Sequence, residues 1–312
     1  MGFEAEKFIE KQLKELKEKI GEGTALAAIS GGVDSVTAAF LVDKVIGENL
    51  KSVFIDDGLM REDESAMVVE QLSKYGMKVE IVRAADDFFV ALKGLEDPEK
   101  KRKAFRNVFY QTLGKIVKEQ NCGFLVQGTI AADVKETKEG IKTQHNVLQQ
   151  IGLDPGIYGL KIIEPLKELY KPQVREVARL VGLPEQISQR MPFPGPGLAT
   201  RVIGEVTPER VQIVRTATRI VEEEIHPLST IFQFLAVLLK DKATGIKEGK
   251  RLLGDIIAVR CVDSKDALTA TPTKISWKIL TRIQQRIIEE IPSVVKVLYD
   301  ITPKPPSTIE YI

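Results

Sequence analysis

The sequence predicts an α/β fold, in which a parallel sheet flanked by helices is followed by a smaller α+β unit. Short apolar segments of strand length alternate with helical patterns over residues 1–190, as in doubly wound sheets. A Gly-Gly turn at residues 31–32 joins the first such strand directly to a helix. Residues 192–197 then hold three prolines and two glycines, which interrupt regular structure. We therefore predict one domain over residues 1–190 and another over 191–312.

The first domain opens with an amphipathic helix, because Ile9, Leu13, Leu16 and Ile20 recur at helical spacing between charged residues. Strands alternating with helices then favour right-handed crossovers and a parallel sheet, whose ligands bind at the carboxyl ends of the strands. The predicted strands are residues 24–29, 52–55, 78–82, 124–127 and 160–163, and the predicted helices are residues 62–75, 98–121 and 171–181.

The pattern changes beyond residue 197 and predicts a separate α+β unit. Its predicted helices are residues 208–225 and 275–290, and its predicted strands are residues 232–239, 255–262 and 294–299.

Composition excludes several classes of protein. The chain has 312 residues, 43% hydrophobic and 29% charged, which is typical of a soluble globular protein. A net charge of +1 provides no field that would draw it to nucleic acid or to a membrane surface. Cys122 and Cys261 resemble buried hydrophobic residues rather than a disulfide framework, and residues 1–20 are too charged for a signal peptide. We expect a cytoplasmic protein with no membrane or nucleic-acid partner.

The most informative segment is the loop Ser30-Gly31-Gly32-Val33-Asp34-Ser35. A strand, a glycine turn and a helix in this order present backbone N–H groups at a helix N-terminus, where anions are favoured. Ser30 and Ser35 add hydroxyl donors, and Asp34 offers a carboxylate where Mg²⁺ can bridge to phosphate oxygens. The spacing and lysine of a Walker A loop are absent. The alternative is an ordinary strand-to-helix turn with a serine N-cap.

Two further polar segments follow predicted strands and are expected at the same edge of the sheet. Asp56-Asp57-Gly58 comes after the second strand, and Gln127-Gly128-Thr129 comes after the fourth.

The loop resembles the pyrophosphate-binding loop of the ATP pyrophosphatases, a group that includes NAD, argininosuccinate and asparagine synthetases and tRNA-modifying enzymes. The rest of the chain resembles the archaeal type of stand-alone ATP-pyrophosphatase subunit of GMP synthetase, nearly from end to end. The matching segments are FIDDGLMR at 54–61, EKKRK at 99–103, VQGTI at 126–130, IKTQHN at 141–146, EPLKE at 164–168, PFPGPGLATRV at 192–202 and YDITPKPPSTIE at 299–310.

The resemblance implies a parallel-sheet, adenine nucleotide α-hydrolase-like (ATP pyrophosphatase) domain and a smaller α+β dimerisation domain. It implies a ligase that adenylates xanthosine 5′-monophosphate (XMP) at O2 with ATP and then lets ammonia displace AMP, giving GMP. Mg²⁺ is the implied cofactor, a homodimer the implied assembly, and a separate glutaminase subunit the implied source of ammonia. The implied ATP-binding residues are Ser30, Gly31, Gly32, Val33, Asp34, Ser35, Val36 and Gly128; the catalytic residues are Asp34, Asp133 and Lys161; the metal ligands are Asp34 and Asp133; and the XMP-binding residues are Arg102, Lys304 and Glu310.

Alternatives remain open for several of these residues. Lys161 is equally compatible with a solvated lysine at a strand end, Arg102 with a solvated helix face, and Lys304 with a disordered tail. The chain also departs from the family pattern, with Asp57 where Asn or Thr is usual and Gly249 where an aspartate is usual. The alternative functions are another amidating ATP pyrophosphatase such as NAD synthetase, a tRNA-modifying pyrophosphatase, and a non-catalytic nucleotide sensor.

Overall fold

The computed structural model describes residues 3–138, 160–188, 191, 193–225, 231–264 and 268–312. The chain forms two compact units. The first comprises Met1–Asp56, Ser65–Ala84 and Asn107–Arg190, and the second comprises Asp57–Glu64, Ala85–Arg106 and Met191–Ile312. Two inner segments, Asp57–Glu64 and Ala85–Arg106, thus belong with the C-terminal part of the chain, which a single boundary at residue 190 does not anticipate.

The N-terminal half of the chain alternates helices and strands as predicted. The strands are β1 Ala25–Ala28, β2 Leu50–Asp56, β3 Val79–Arg83, β4 Phe124–Val126 and β5 Lys161–Ile163; the helices are α1 Ala5–Ile20, α2 Val33–Ile46, α3 Glu64–Ser73, α4 Ala85–Leu92, α5 Pro98–Glu119, α6 Ala131–Lys138, α7 Lys171–Leu180 and α8 Glu185–Ser188.

The five strands form one sheet in the order β3-β2-β1-β4-β5, and every pair is parallel. Ala25 at the start of β1 pairs with Leu50 on one side and Phe124 on the other, so β1 lies at the centre. Ala25, Leu26 and Ala27 of β1 are almost completely buried, and α1, α2 and α7 pack against one another. The predicted parallel α/β sheet is therefore confirmed.

The second unit contains a four-stranded mixed sheet whose central strand is β7. Its elements are α9 Pro208–Ile225, β6 Gln233–Lys247, β7 Lys250–Asp263, β8 Thr271–Pro272, α10 Trp277–Glu290 and β9 Val294–Asp300. Strand β7 is antiparallel to β6 and β8 and parallel to β9. Helix α9 packs on β6, and α10 packs on β9 and on α9.

Strands β6 and β7 are longer than the predicted strands 232–239 and 255–262, and they form a hairpin that the sequence analysis did not predict. Lys247 pairs with Lys250, and the two residues between them, Glu248 and Gly249, have φ angles of 49° and 75°. A two-residue hairpin loop with positive φ at both positions follows the twist of its strands and favours glycine. The conformation of this turn thus gives a local reason for glycine at position 249.

No helix in the described residues combines the length and the apolar character needed to cross a membrane.

Candidate active site

The Ser30–Ser35 loop lies between the carboxyl end of β1 and the start of α2, as predicted. Gly31 has a φ of 75°, a conformation that glycine adopts without strain, and Gly32 is the N-cap of α2. The two serine hydroxyls lie 3.0 Å apart, and Ser35 Oγ accepts a hydrogen bond of 3.2 Å from the N–H of Ser30. Ser35 Oγ also donates to the carbonyl of Gly32 at 3.1 Å. The loop is therefore shaped by its own side chains.

Gly128, on the segment after β4, packs directly against this loop. A Cβ added at Gly128 would lie 2.7 Å from the backbone nitrogen of Ser35 and 2.8 Å from the carbonyl carbon of Asp34. No side chain fits at that distance, so only glycine allows the two loops to approach so closely.

A pocket of about 340 Å³ opens beside the two loops. A volume of this size is in the range of small-ligand sites. Its lining residues are Ala28, Ser30, Gly32, Asp34, Ser35, Phe109, Tyr110, Leu113, Leu125, Val126, Gln127, Gly128, Thr129, Asp133 and Glu164. The pocket thus combines hydroxyls and carboxylates at the strand ends with aromatic and apolar side chains of α5.

Asp34 is a poorly satisfied charge in this pocket. Its Oδ2 accepts a hydrogen bond of 2.6 Å from the ammonium of Lys171, whereas its Oδ1 is buried and has no partner among the described residues. Burial raises the pKa of the Asp34 carboxyl above its usual value, the nearby Asp133 carboxylate adds to the rise, and Lys171 opposes it. A cation between Asp34 and Asp133 would relieve both unfavourable contributions.

Asp133 also has a local structural role. Its Oδ2 accepts a hydrogen bond of 3.1 Å from the N–H of Ile130, the residue before α6. A carboxylate that reaches back to the N-cap backbone in this way fixes the first turn of a helix. Asp133 is therefore held in one orientation at the rim of the pocket.

Lys171 was not predicted as a site residue, although it is the cation that contacts Asp34. It is the first residue of α7, and Gln173 caps that helix by accepting a hydrogen bond of 2.8 Å from the N–H of Tyr170. Pro172, at the first turn, suits a helix start. These start signals were readable from the sequence, but the contact with residue 34 depends on the fold.

Lys161 does not lie at this pocket. It is the first residue of β5 and pairs with Phe124, the first residue of β4, so it lies at the amino ends of parallel strands. Its ammonium lies 5.7 Å from the centre of the Phe124 ring. The Ser30–Ser35 loop follows the carboxyl end of β1, at the opposite edge of the sheet. Lys161 therefore fits the alternative of a solvated lysine at a strand end.

In the second unit, the Pro-Gly segment packs against the loop that follows β2. Leu198 donates its N–H to the carbonyl of Leu59 at 2.7 Å, and a Cβ on Gly197 would clash with that same oxygen. Arg215 of α9 donates to the carbonyls of Gly58 and Met60 at 2.7 and 3.0 Å. These contacts explain why Asp57–Glu64 belongs with the second unit.

Asp57, a departure from the family pattern, is buried within this loop. Its Oδ1 accepts a hydrogen bond of 2.8 Å from the N–H of Leu59, which shapes a local turn.

The C-terminal segment is ordered by hydrogen bonds to distant parts of the second unit. Arg201 donates to both oxygens of Glu310, at 3.1 and 2.9 Å, and Gln233 donates to Glu310 Oε1 at 2.5 Å. Lys304 exchanges two backbone hydrogen bonds with Ala270, at 2.8 and 3.0 Å. The alternative of a disordered tail at Lys304 is therefore wrong for this structure. Neither Arg201 nor Gln233 was singled out from the sequence.

The basic run at 99–103 divides between solvent and interior. Arg102 pairs with Glu99 and remains about 40% exposed, as a surface helix position would. Lys101 is instead buried, donates to the carbonyl of Val202 at 2.7 Å, and has a pKa lowered to about 8, mainly by burial and also by Arg210.

The parallel sheet, the Ser-Gly-Gly-Val-Asp-Ser loop at the start of α2 and the absent Walker lysine together define a PP-loop protein of the ATP-pyrophosphatase class. Comparison with protein families agrees: residues 5–184 match the PP-loop domain, and residues 213–311 match the GMP synthase C terminal domain.

The chain is also similar over nearly its whole length to archaeal proteins that are named as a subunit of glutamine-hydrolyzing GMP synthase. The protein of Methanopyrus kandleri is 48% identical, with 99% of each chain covered, and that of Archaeoglobus fulgidus is 50% identical at the same coverage. The protein of Thermococcus kodakarensis is 50% identical over 98% of this chain and 99% of its own. The chain belongs to this family of GMP synthase subunits, which is a family of ligases.

Two segments that carry the resemblance lie partly or wholly outside the described residues. They are the IKTQHN motif at 141–146, which contains His145, and Pro192 of the Pro-Gly segment.

Proposed function

We propose that this chain is the ATP-pyrophosphatase subunit of a two-subunit GMP synthase. It binds ATP and XMP, and the O2 oxygen of XMP attacks the α-phosphorus of ATP, so that pyrophosphate leaves and adenylyl-XMP forms. Ammonia then attacks C2 of the purine, and AMP leaves with the O2 oxygen to give GMP. The observation that carries the proposal is the pocket beside Ser30–Ser35, in which a phosphate loop and a partly unpaired Asp34 face the same space.

In this proposal the phosphates of ATP lie at the N-terminus of α2. The helix start and the serine hydroxyls stabilise negative charge there, and the close contact with Gly128 keeps the loop rigid. The ATP-binding residues are Ser30, Gly31, Gly32, Val33, Asp34, Ser35, Val36 and Gly128.

Asp34 and Asp133 are the proposed ligands of Mg²⁺. The unpaired buried Oδ1 of Asp34 and the mutual repulsion of the two carboxylates fit a divalent cation. No group of three or more metal-ligating side chains occurs among the described residues, which suits an ion held by one or two carboxylates and by substrate phosphates. A Mg²⁺ ion held by these two carboxylates would supply positive charge to offset the charge on the departing pyrophosphate.

Lys171 takes the role that the sequence suggested for Lys161. Its ammonium lies 2.6 Å from the carboxylate of Asp34, which lines the pocket, and its side chain is about 42% exposed. A lysine in this position neutralises phosphate charge and accompanies the pyrophosphate as it leaves.

The second unit is proposed to bind XMP through Arg102, Lys304 and Glu310. Arginine and lysine suit the 5′-phosphate, and the carboxylate of Glu310 accepts a hydrogen bond from the nucleoside.

Ammonia is proposed to come from a separate glutaminase subunit or from free ammonium. Both cysteines are buried, burial raises the pKa of each thiol, and that of Cys261 reaches about 12. Thiols that stay protonated are poor nucleophiles, so neither supports an internal glutaminase. Free, reduced cysteines also support a cytoplasmic location.

We further propose a homodimer formed through the second unit. Large apolar side chains that are exposed on this unit support such an interface. They are Ile246, Leu253, Leu268, Trp277, Leu298 and Ile301.

The test is formation of GMP by the purified chain from XMP, ATP, Mg²⁺ and an ammonium salt. We expect GMP, AMP and pyrophosphate in equal amounts, and no product with the Asp34→Asn variant. Amidation of deamido-NAD in place of XMP would assign the chain to the NAD synthetases instead. ATP binding without any amidated product would favour the nucleotide sensor.

A further inference from the structure

Arg201 is completely buried, although it carries a positive charge. Its side chain is 0% exposed, and its Nε and Nη2 donate to the two carboxylate oxygens of Glu310 in a bidentate pair. The guanidinium also lies 4.9 Å from the centre of the Phe193 ring. One planar group therefore contacts both the Pro-Gly segment and the C-terminal segment of the second unit.

Stability alone does not account for this arrangement. The Nη1 of Arg201 is buried and has no hydrogen-bond partner among the described residues. An unsatisfied buried donor is unfavourable, and buried ion pairs are often replaced by apolar residues without loss of stability. The burial of Arg201 is therefore better explained if Glu310, the carboxylate with which it pairs, has a function that requires a fixed position.

The path of the C-terminal segment is set by a different arginine. Arg260 is also fully buried, and it donates to Asp300 at 2.7 Å and to the carbonyls of Thr302, Thr308 and Ile309 at 2.8 to 3.2 Å. These bonds hold the backbone on both sides of Lys304. In contrast, the two hydrogen bonds that Arg201 makes to this segment both go to the side chain of Glu310.

The hydrogen bonds of Glu310 leave one acceptor position for a ligand. Within the described residues, its Oε1 accepts from Arg201 and Gln233, whereas its Oε2 accepts from Arg201 alone. Since each carboxylate oxygen accepts about two hydrogen bonds, one position on Oε2 remains. The side chain of Glu310 is about 22% exposed, so it is not sealed from solvent or from a ligand.

We propose that Arg201 is a positioning residue, which fixes the carboxylate of Glu310 so that Oε2 accepts one N–H or O–H donor of the bound XMP. The proposal rests on the proposed function, in which Glu310 contacts XMP. Arg201 itself does not touch the nucleotide. Its effect on XMP must therefore pass through Glu310, which is what a double-mutant cycle measures.

The test compares Arg201→Met, Glu310→Gln and the double variant, with XMP binding measured by calorimetry and steady-state KM values measured for XMP and ATP. We expect Arg201→Met to raise the Kd and KM for XMP on the order of tenfold, which is the weight of a charged hydrogen bond. The KM for ATP should stay within about twofold. In the Glu310→Gln background, Arg201→Met should have little further effect.

Two controls separate positioning from general damage. Arg282→Met makes the same substitution at a half-exposed arginine of α10 that pairs with Glu224, and it should leave XMP binding unchanged. Arg201→Lys keeps the charge but loses the bidentate geometry, so it should bind XMP with an affinity between wild type and Arg201→Met. If Arg201→Met does not fold, Arg201→Lys takes its place in the comparison.

Three outcomes overturn the proposal. Arg201→Met or Arg201→Lys with wild-type affinity for XMP contradicts it, as does an additive effect in the Glu310→Gln background. If the wild-type protein itself binds no XMP, the proposed function is wrong and this inference is wrong with it.

Discussion

The phosphate loop and the C-terminal segment around Glu310 are built in opposite ways. The hydrogen bonds among Ser30, Gly32 and Ser35 join residues no more than five positions apart, although Asp34 of the same loop also accepts from Lys171, 137 positions away. The contacts of Glu310 reach Gln233 and Arg201, which are 77 and 109 positions away. The hydrogen bonds within the loop are local, whereas the carboxylate of Glu310 depends on two residues that are distant in sequence, Arg201 and Gln233.

This difference decides how each region responds to change. In the loop, the proposed binding groups are the backbone at the start of α2 and the side chains of Ser30, Asp34 and Ser35, so substitutions there should affect ATP chemistry directly. Around Glu310, side chains hold side chains, so substitutions far away in sequence should alter XMP binding while leaving the loop intact.

The largest effect is expected at Asp34. Asp34→Asn removes a proposed Mg²⁺ ligand and should lower XMP-dependent exchange of pyrophosphate into ATP by about 10³-fold. Because burial already raises the pKa of this carboxyl, loss of its charge should not lower the thermal midpoint. Retention of near-normal exchange would contradict the role given to Asp34.

A smaller effect distinguishes two lysines of the first unit. Lys171→Met should reduce the exchange rate by about 10²-fold, since its ammonium contacts Asp34 in the proposed ATP site. Lys161→Met, at the opposite ends of the strands, is the matched control and should change the rate by less than about twofold. A larger loss of exchange in Lys161→Met than in Lys171→Met would instead identify Lys161 as the catalytic lysine.

In the second unit, Lys304→Ala should raise the KM for XMP by about tenfold and leave the KM for ATP unchanged. Steady-state kinetics with each substrate varied in turn provides the measurement. Equal increases in both KM values would indicate that the segment is structural and would weaken the division between the two regions.

The smallest effect concerns pH and the buried Lys101 of the second unit. Burial lowers the pKa of Lys101 from 10.5 to about 8, so between these values the unfolded chain binds more protons than the folded one. The unfavourable contribution of Lys101 is therefore fully present below pH 8 and is relieved as the pH rises towards 10.5. Relative to Lys101→Met, wild type should gain about 1–3 kcal/mol of unfolding free energy over this range.

Urea unfolding at several pH values measures this difference. The exposed neighbour Lys103, substituted as Lys103→Met, is the control and should show the pH dependence of wild type. If the unfolding free energies of wild type and Lys101→Met changed equally with pH, Lys101 would not be a buried group with a lowered pKa.

The sequence predicted most of the first unit because its signals are local. The loop, the strand-helix alternation and the apolar β1 follow from neighbouring residues, and the parallel sheet was confirmed. Helix α4 was missed, although Phe88 and Leu92 are buried at helical spacing. The sequence could not show which of Lys161 and Lys171 lies near the Ser30–Ser35 loop. Both are close to the predicted fifth strand, and the answer depends on the direction of that strand.

The second unit was less predictable because its contacts are distant in sequence. A hairpin signal existed at Glu248-Gly249 and was not used. The inclusion of residues 57–64 and 85–106, and the pairing of Arg201 with Glu310, depend on packing that no local pattern encodes. Buried polar residues such as Lys101 and Arg201 are hardest to foresee, since charged residues are usually exposed.

The measurement that tests the account most directly is pyrophosphate exchange into ATP with and without XMP, in the absence of ammonia. If the loop cleaves ATP and the second unit supplies XMP as the nucleophile, exchange should require Mg²⁺ and XMP together. Exchange that proceeds equally well without XMP, or that responds to deamido-NAD and not to XMP, would contradict the account.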